Sequence, residues 1–466
     1  MNRQPMTTLQ QAAGWIAGAS ISGDAARSFS RVHTDSRTVE PGDLFVALKG
    51  ERFDAHDFLA DVVARGAAAV MVSRKVDVDV PALIVPDTRT GLGQLATGWR
   101  RTFTPPTVAV TGSNGKTTVK EMIAAIFAAA VGEGDRLATG GNLNNDIGLP
   151  LTVLRLRAHH KLAVLELGMN HPGETIYLAG IAQPTVAVVT NAQREHQEFM
   201  VSVEAVAHEH ASAIAALPAD GVAVFPVDAE SGGAYAAIWR QAAGTRKVLS
   251  FGTDASADVR ATVSLENGVQ VLDVTAPDLR FTLRLQVLGV HNVRNALAAT
   301  ACALAAGVDV AAIQTGIAGF TAVKGRLQVK HTPAGIVVID DTYNANPDSM
   351  RAAIDVLAGF ATPRLLVLGD MGEVGDQGPM FHTEIGAYAR ERGIDALWAT
   401  GELAPHAVQA YGGGARYFAR AEDLAQALEA DKEGTVANAA AVLVKGSRFM
   451  RMERMVDALV ASPSAH

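Results

Sequence analysis

Eight consecutive residues, Thr111-Gly112-Ser113-Asn114-Gly115-Lys116-Thr117-Thr118, combine two glycines with a lysine and several hydroxyls. This set suits a polyphosphate. Glycines let backbone N–H groups turn inward, and a helix start adds its positive dipole end. Lys116 is expected to reach the outer phosphates and the Thr117 hydroxyl to hold Mg²⁺, so ATP is the expected nucleotide. A standard longer loop would have its first glycine at position 110, which is valine here; the loop is the shorter Gly-x-x-Gly-Lys-Thr form. So short a pattern also fits an ordinary glycine-rich βα turn. The flanks favour the phosphate cradle, because residues 107–110 read as a buried strand and 119–131 as an apolar helix.

A second set of reactive groups follows. Glu166 ends the apolar run 162–165, where an acidic Mg²⁺ partner belongs in a parallel nucleotide-binding sheet. The run 185–189 leads to Thr190-Asn191, and His196 comes five residues later. A carboxylate, a hydroxyl and an imidazole are expected to converge near the phosphates, leaving Mg²⁺ positions for water and substrate. A lone histidine after a strand more often packs or lies on the surface, but Glu166 and the loop shift that balance.

Positioning these groups needs an α/β chain of several units. The 466 residues suggest about three domains: 1–104, 105–323 and 324–466. Short apolar strands at 44–48, 68–72 and 82–85 mark the first, and Thr104-Pro105-Pro106 reads as a linker. The central region alternates strands and helices, which implies a mostly parallel sheet with ligands at the strand carboxyl ends. Over 259–290 the pattern becomes short alternating strands, with Asn267-Gly268 as a hairpin turn, and a helix over 292–306 closes this region. A third alternation has strands at 336–339, 365–368, 397–400 and 442–444 and helices at 348–357, 383–392, 421–429 and 450–460. It reads as Rossmann-like, without the Gly-x-Gly-x-x-Gly turn of a dinucleotide site.

Composition narrows the class. A net charge of −8 without a basic stripe argues against nucleic acid as partner. The single cysteine, Cys302, falls in an apolar helix and reads as core packing. Neither a signal segment nor an uninterrupted apolar span of eighteen residues is visible, so a cytoplasmic protein without membrane insertion is expected, working as a monomer. Each third is long enough to bury its own core.

Further motifs make the whole chain resemble the Mur ligases, ATP-dependent amide-forming enzymes of peptidoglycan synthesis. Asp35-Ser36-Arg37 and the stretch from Pro41 to Gly50 resemble the family's N-terminal UDP-sugar domain. Gly141-Asn142-Leu143-Asn144-Asn145 with Gly148-Leu149-Pro150 resembles a loop shaping the central cleft, where Asn142 and Asn145 become substrate candidates. His291-Asn292-Val293-Arg294-Asn295 is similar to the adenine-side motif, with Asn295 on the base. Lys324-Gly325-Arg326 resembles an interdomain motif whose arginine, Arg326, reaches ATP phosphate. The run from Asp340 to Pro347 resembles the branch that adds D-alanyl-D-alanine to UDP-N-acetylmuramoyl-tripeptide. There Tyr343, Asn344 and Asn346 lie near the dipeptide and Asp341 faces the nucleotide. The stretches 368–373 and 444–448 complete the likeness. Singly these pieces have blander readings: Asp35-Ser36-Arg37 as a turn, Asn346 as a helix N-cap, Lys445 to Arg448 as a polar strand-to-helix turn. The combination carries the resemblance.

One departure stands out. Many Mur ligases carry a carbamate-modified lysine on the helix after the His196-type histidine, where it helps hold a second Mg²⁺. Here the stretch 206–212 has no lysine, and His210 falls about where it is expected. His210, directly or through water, is the candidate replacement; Glu209 points to another helical face. The resemblance implies an acyl phosphate on the tripeptide, then attack by the dipeptide amine, with closure of the third domain excluding water. Lys116, Glu166, His196 and Arg326 are the expected catalytic set. Three rivals remain: a sister ligase adding one amino acid, a folylpolyglutamate synthase, and a non-catalytic nucleotide switch. The motifs do not specify the third peptide residue, meso-diaminopimelate or lysine.

Overall fold

The computed structural model describes residues 4–431 and 433–460; the ends of the first and third expected domains, 1–3 and 461–466, and Lys432 lie outside the described residues. The apolar runs form three main sheets flanked by helices, as an α/β chain should. The first runs in the order Ser20–Ser22, Ala82–Ile84, Ala69–Val72, Asp43–Val46, Arg31–His33, with the last four strands parallel.

The second sheet has nine strands. Their order is Leu279–Leu285, Val269–Ala276, Val259–Glu266, Lys247–Gly252, Val222–Pro226, Val186–Val189, Thr107–Thr111, Leu162–Glu166, Arg136–Ala138. All pairings are parallel except the two at the Leu279–Leu285 edge. There Asn267 and Gly268, at φ of 50° and 81°, make the expected hairpin turn. Strand Thr107–Thr111 lies between Leu162–Glu166 and Val186–Val189, so later strands depart to both sides of it. A crevice opens at the carboxyl ends of such a switch point. The third sheet runs Gln328–His331, Val337–Asp341, Ala441–Lys445, Arg364–Gly369, Ala396–Thr400, Ala415–Phe418 and is parallel apart from its first strand.

Helix Lys116–Val131 starts earlier than the apolar pattern suggested, because Gly115 at φ 82° supplies its left-handed N-cap. Helix Val290–Ala305 likewise begins ahead of the expected position. Helices Val310–Ala318 and Ala404–Tyr411 and strands Arg136–Ala138 and Ala415–Phe418 are short or half polar, and their patterns are faint in the sequence. No helix of the described residues is long and apolar enough to cross a membrane.

The cores differ from the expectation of one per third. The third sheet packs its own two faces. The first sheet does so on one face only, around Phe45, Val62 and Val70. Its other face joins the central sheet in one continuous cluster, from Leu9 and Leu44 through Leu92, Leu95 and Trp99 to Leu149, Leu178 and Trp239. Helix Thr88–Arg100 makes that bridge, started by Asp87, whose Oδ1 accepts from Thr90 N at 2.7 Å. At its end, buried Arg100 donates to Ala182 O and Gln183 O at 2.9 Å each, and to Phe103 O at 2.7 Å. The Thr104-Pro105-Pro106 junction is therefore clamped rather than loose.

Leu95→Ala should destabilise the protein by about 3 kcal/mol, the usual cost of emptying a buried leucine site. Because the cluster is continuous, fluorotryptophan signals of Trp99 and Trp239 should disappear at the same urea concentration; separate midpoints would contradict a shared core.

Candidate active site

The glycine loop is shaped by the neighbouring strand end. Gly112 has φ 130°, and a Cβ there would come 2.1 Å from Thr190 Oγ1. At Gly115 a Cβ would come 2.5 Å from Asn295 Oδ1. Thr190 Oγ1 and Asn191 Nδ2 donate to Asn114 O at 2.7 and 2.9 Å, and Asn191 Oδ1 accepts from Asn114 N at 2.8 Å. Ser113 Oγ accepts from Gln193 N at 2.9 Å. Segment 190–193 thus fixes the loop from outside. Lys116 Nζ donates to Gly112 O at 2.5 Å and Ser113 O at 3.1 Å, with Glu195 Oε2 at 3.4 Å.

Glu166 stands at the tip of the adjacent strand, 2% exposed. Its Oε1 accepts from Thr117 Oγ1 at 3.1 Å and from Asn144 Nδ2 at 2.8 Å. Its Oε2 is buried without a hydrogen-bond partner among the described residues. On the other side, Arg326 Nη2 donates to Thr117 Oγ1 at 2.9 Å, and the guanidinium lies 4.1 Å from the Tyr343 ring centre. A hydroxyl and an orphaned carboxylate oxygen at a phosphate loop are hard donors that fit Mg²⁺. Among the described residues no three His, Cys, Asp or Glu side chains form a ready metal-binding group. Mg²⁺ at this point would therefore depend on phosphate and water for its remaining positions.

His196 lies in the left-handed region, at φ 48°. Its Nε2 is 3.8 Å from Glu195 Oε2, and its Nδ1 is 2.6 Å from Glu373 Oε2. The second contact is a close charge approach outside hydrogen-bond geometry, leaving Nδ1 without an aligned partner. His210 has no nitrogen left for a cation: Nδ1 pairs with Thr111 Oγ1 and Nε2 with Glu195 Oε1, both at 3.0 Å. Its role is to hold Glu195. Glu209 does face elsewhere, accepting from Gly173 N and Thr175 N at 3.0 and 2.8 Å.

Glu195 is the group that sequence reasoning passed over, although it directly precedes His196. It is buried yet ionised. Burial is the largest influence on its pKa and raises it, but the charge of Lys116, then the His210 hydrogen bond and the charges of His210 and His196, bring it to about 2. Asn144 was also passed over in favour of its neighbours. Asn145 lines the cavity, but its Oδ1 accepts from Ile147 N and Gly148 N at 3.2 and 2.8 Å. Asn142 is exposed and lies off the cavity.

The third sheet closes the other side. Asp341 and Lys445 are register partners at two strand ends. Lys445 Nζ donates to Asp341 Oδ2 at 2.5 Å and to Asn344 O at 2.8 Å. Asn346 caps its helix by accepting from Ser349 N at 2.8 Å, and its Nδ2 donates to Asn114 Oδ1 at 2.9 Å. Arg194 bridges to Asp348 at 2.6 Å and Glu384 at 2.7 Å. The result is a cavity of about 1200 Å³. Ser113 to Thr118, Glu166, His196, Asn295, Arg326, Asp341, Tyr343, Asn344 and Asn346 all line it. Ser36 and Arg37 do not: they form a turn at Ser36–Thr38, where Arg37, 84% exposed at its side chain, pairs with Asp35 at 2.7 Å.

The cavity's far wall includes His291, half-buried, with its Nε2 atom buried and without a partner among the described residues. Burial is the main cause lowering its pKa, to about 4. The ring is therefore neutral near pH 7.

Comparison with known proteins gives matches along most of the chain. Residues 110–303 match the Mur ligase middle domain, 325–448 the "Mur ligase, glutamate ligase domain", and 28–100 the "Mur ligase family, catalytic domain". The UDP-N-acetylmuramoyl-tripeptide–D-alanyl-D-alanine ligase of Escherichia coli K12 is 40% identical over 459 residues, covering 96% of each chain. Among solved structures, the UDP-N-acetylmuramoylalanyl-D-glutamyl-2,6-diaminopimelate–D-alanyl-D-alanyl ligase of Acinetobacter baumannii superposes with a TM-score of 0.84 at 37% identity, covering 98% of this chain and 99% of that one. The MurF ligase of Thermotoga maritima in complex with ADP gives 0.79 at 27% identity, covering 92% and 96%.

Glu195→Gln keeps the shape and removes the charge that holds Lys116. It should lower ATP-driven phosphate release by ten- to a hundredfold, since a charge-assisted contact is worth about 1.5–3 kcal/mol. His210→Gln should act in the same direction and more weakly; equal activity in both variants and wild type would show that the pair does not position Lys116. For His291, the unfolded chain takes up a proton below about pH 6.5 that the folded chain refuses until about pH 4. Its contribution is present above pH 6.5 and is lost as pH falls, on the order of 1–2 kcal/mol at pH 5. Urea unfolding at pH 7 and pH 5 should show that loss in wild type and not in His291→Gln.

Proposed function

The chain belongs to the Mur ligase family, and from that premise we propose how its residues do the work of an ATP-dependent ligase. It joins D-alanyl-D-alanine to UDP-N-acetylmuramoyl-tripeptide, giving the pentapeptide, ADP and phosphate for peptidoglycan synthesis. One observation carries the residue assignments. Arg326, Thr117 and Glu166 form a continuous hydrogen-bonded line from the third sheet's unit, through the phosphate loop, to the acidic strand tip.

A carboxylate is a poor acyl donor because its leaving group would be oxide. Moving the γ-phosphoryl group onto the tripeptide carboxylate creates an acyl phosphate, and the dipeptide amine then displaces phosphate to form the amide. This chemistry is mainly positioning and charge neutralisation. Lys116 leaves its loop carbonyls for the outer phosphates, and Arg326 covers the developing charge from the opposite side. Thr117 and Glu166 Oε2 would hold Mg²⁺, which when bound would neutralise phosphate oxygens. Asn295 takes the base side, Asp341 stays near the nucleotide, and His196 stands beside the phosphates with Glu195.

Tyr343, Asn344 and Asn346 face the incoming amine. The UDP end is assigned to the first sheet, where Arg37 is exposed and, among the described residues, bound only to its neighbour Asp35. The substrates are small molecules, and action as a monomer is part of this proposal. Both ATP and a UDP-linked peptide are reagents of the cytoplasm, the expected compartment. The contacts of Arg194, Asn346 and Arg326 across the cavity support a working state in which the third unit is docked and water is kept from the acyl phosphate.

Phosphate release with ATP, Mg²⁺ and UDP-N-acetylmuramoyl-tripeptide should require D-alanyl-D-alanine and be at least a hundredfold slower with single amino acids. Lys116→Ala should abolish it while circular dichroism still shows a folded chain, with a lowered melting temperature because Glu195 loses its counter-charge. Release with a single amino acid or with a folate in place of the UDP-peptide would favour a sister activity. ATP binding with no release under any combination would indicate a switch protein.

A further inference from the structure

We propose that Arg89 and Asp146 seat the free end of the tripeptide's third residue and select diaminopimelate over lysine. The inference rests on the ligase reading above. Arg89 lies in the first turn of helix Thr88–Arg100 and reaches the central loop. Its Nε is 2.5 Å from Asp146 Oδ2, and its Nη2 donates to Asp146 Oδ1 at 3.1 Å. Both residues line the large cavity. Asp146 follows two residues after Asn144, whose amide holds Glu166. Two trans peptide steps span at most about 7.6 Å between Cα atoms, so Asp146 stands on the same short loop as the residue that holds the strand tip beside the phosphates.

The reacting carboxylate must sit at those phosphates, and the third residue's side chain leaves from the adjacent carbon. In diaminopimelate that side chain ends in an ammonium and a carboxylate together. In lysine it ends in an ammonium alone. A guanidinium beside a carboxylate offers both complementary charges. Arg89 uses two of its five N–H groups on Asp146, leaving donors for a carboxylate, while Asp146 oxygens keep lone pairs for an ammonium.

The pair is open to a ligand, its side chains 56% and 34% exposed. That exposure also makes it a weak stabiliser, so structural bracing accounts poorly for its place in the wall. Other ion pairs at the cavity stand elsewhere: Arg194 joins Asp348 and Glu384 of the third sheet's unit, and Arg294, on the helix of Asn295, joins Asp228 and Glu230. Arg89–Asp146 stands where the first sheet's unit meets the cavity, the side assigned to the UDP-peptide.

The test compares kcat/KM for UDP-tripeptides ending in meso-diaminopimelate and in L-lysine, with ATP, Mg²⁺ and D-alanyl-D-alanine. Wild type should prefer diaminopimelate at least tenfold, and Arg89→Gln should shrink that preference below threefold. Asp146→Asn should lower kcat/KM for both peptides, since both carry the ammonium. Arg89→Lys, which keeps a charge without the planar fork, should restore part of the preference. Absence of preference in wild type, or an equal fall for both peptides in Arg89→Gln, overturns the assignment in favour of a bridge between units. Failure of wild type to release phosphate with either peptide would overturn the ligase reading itself, and this inference with it.

Discussion

Charge buried at strand tips has to be balanced before a triphosphate can be received. Lys116, Glu166, Glu195, Asp341 and Lys445 are all buried or nearly so around one cavity, and an isolated ion in such a place would cost several kcal/mol. The chain solves this by pairing across elements. Lys116 lies between loop carbonyls and Glu195, Asp341 pairs with Lys445, and Thr117 is held between Glu166 and Arg326. Each pair involves different secondary-structure elements, so the sheets must assemble for the charges to be tolerated at all. The oxygen left out of this pairing, Glu166 Oε2, has no partner among the described residues and is the one to which the proposed mechanism gives the cation.

Much of this was legible in the sequence wherever the signal is local. The strand, glycine loop and helix over 107–131 form one contiguous pattern, and Glu166 ends an apolar run; both sit as their neighbours in the chain imply. Asn267-Gly268 is legible for the same reason. The capping function of Asn346 depends on residues three apart, and it too was visible. Contacts between remote segments were not. Nothing near Glu195 announces that Lys116 and His210 will close on it. His210 looked available because one chain position cannot reveal that Thr111 and Glu195 take both its nitrogens. In the 141–145 loop the choice among three asparagines turns on backbone direction. Asn144 points to Glu166, while Asn145 turns back on its own chain.

The seam between the first and central sheets was equally invisible. A helix such as Thr88–Arg100 shows a buried face in its sequence, but not which neighbour that face meets. Here it meets helices Gly148–Val153 and Glu174–Ala182, and the apolar cluster passes without interruption from one sheet to the next.

That cluster has a mechanical corollary. The first and central units are welded by apolar surface, whose attraction is non-directional and is not screened by salt. Around the cavity, the third unit is latched by polar contacts: Arg194 on Asp348 and Glu384, Asn114 on Asn346, and Arg326 on Thr117. Contacts of that kind exchange readily with water and weaken in salt. In the proposed mechanism the molecule is thus asymmetric as a machine: the first two units form the chassis, and the third is the jaw at which cargo is admitted and discharged.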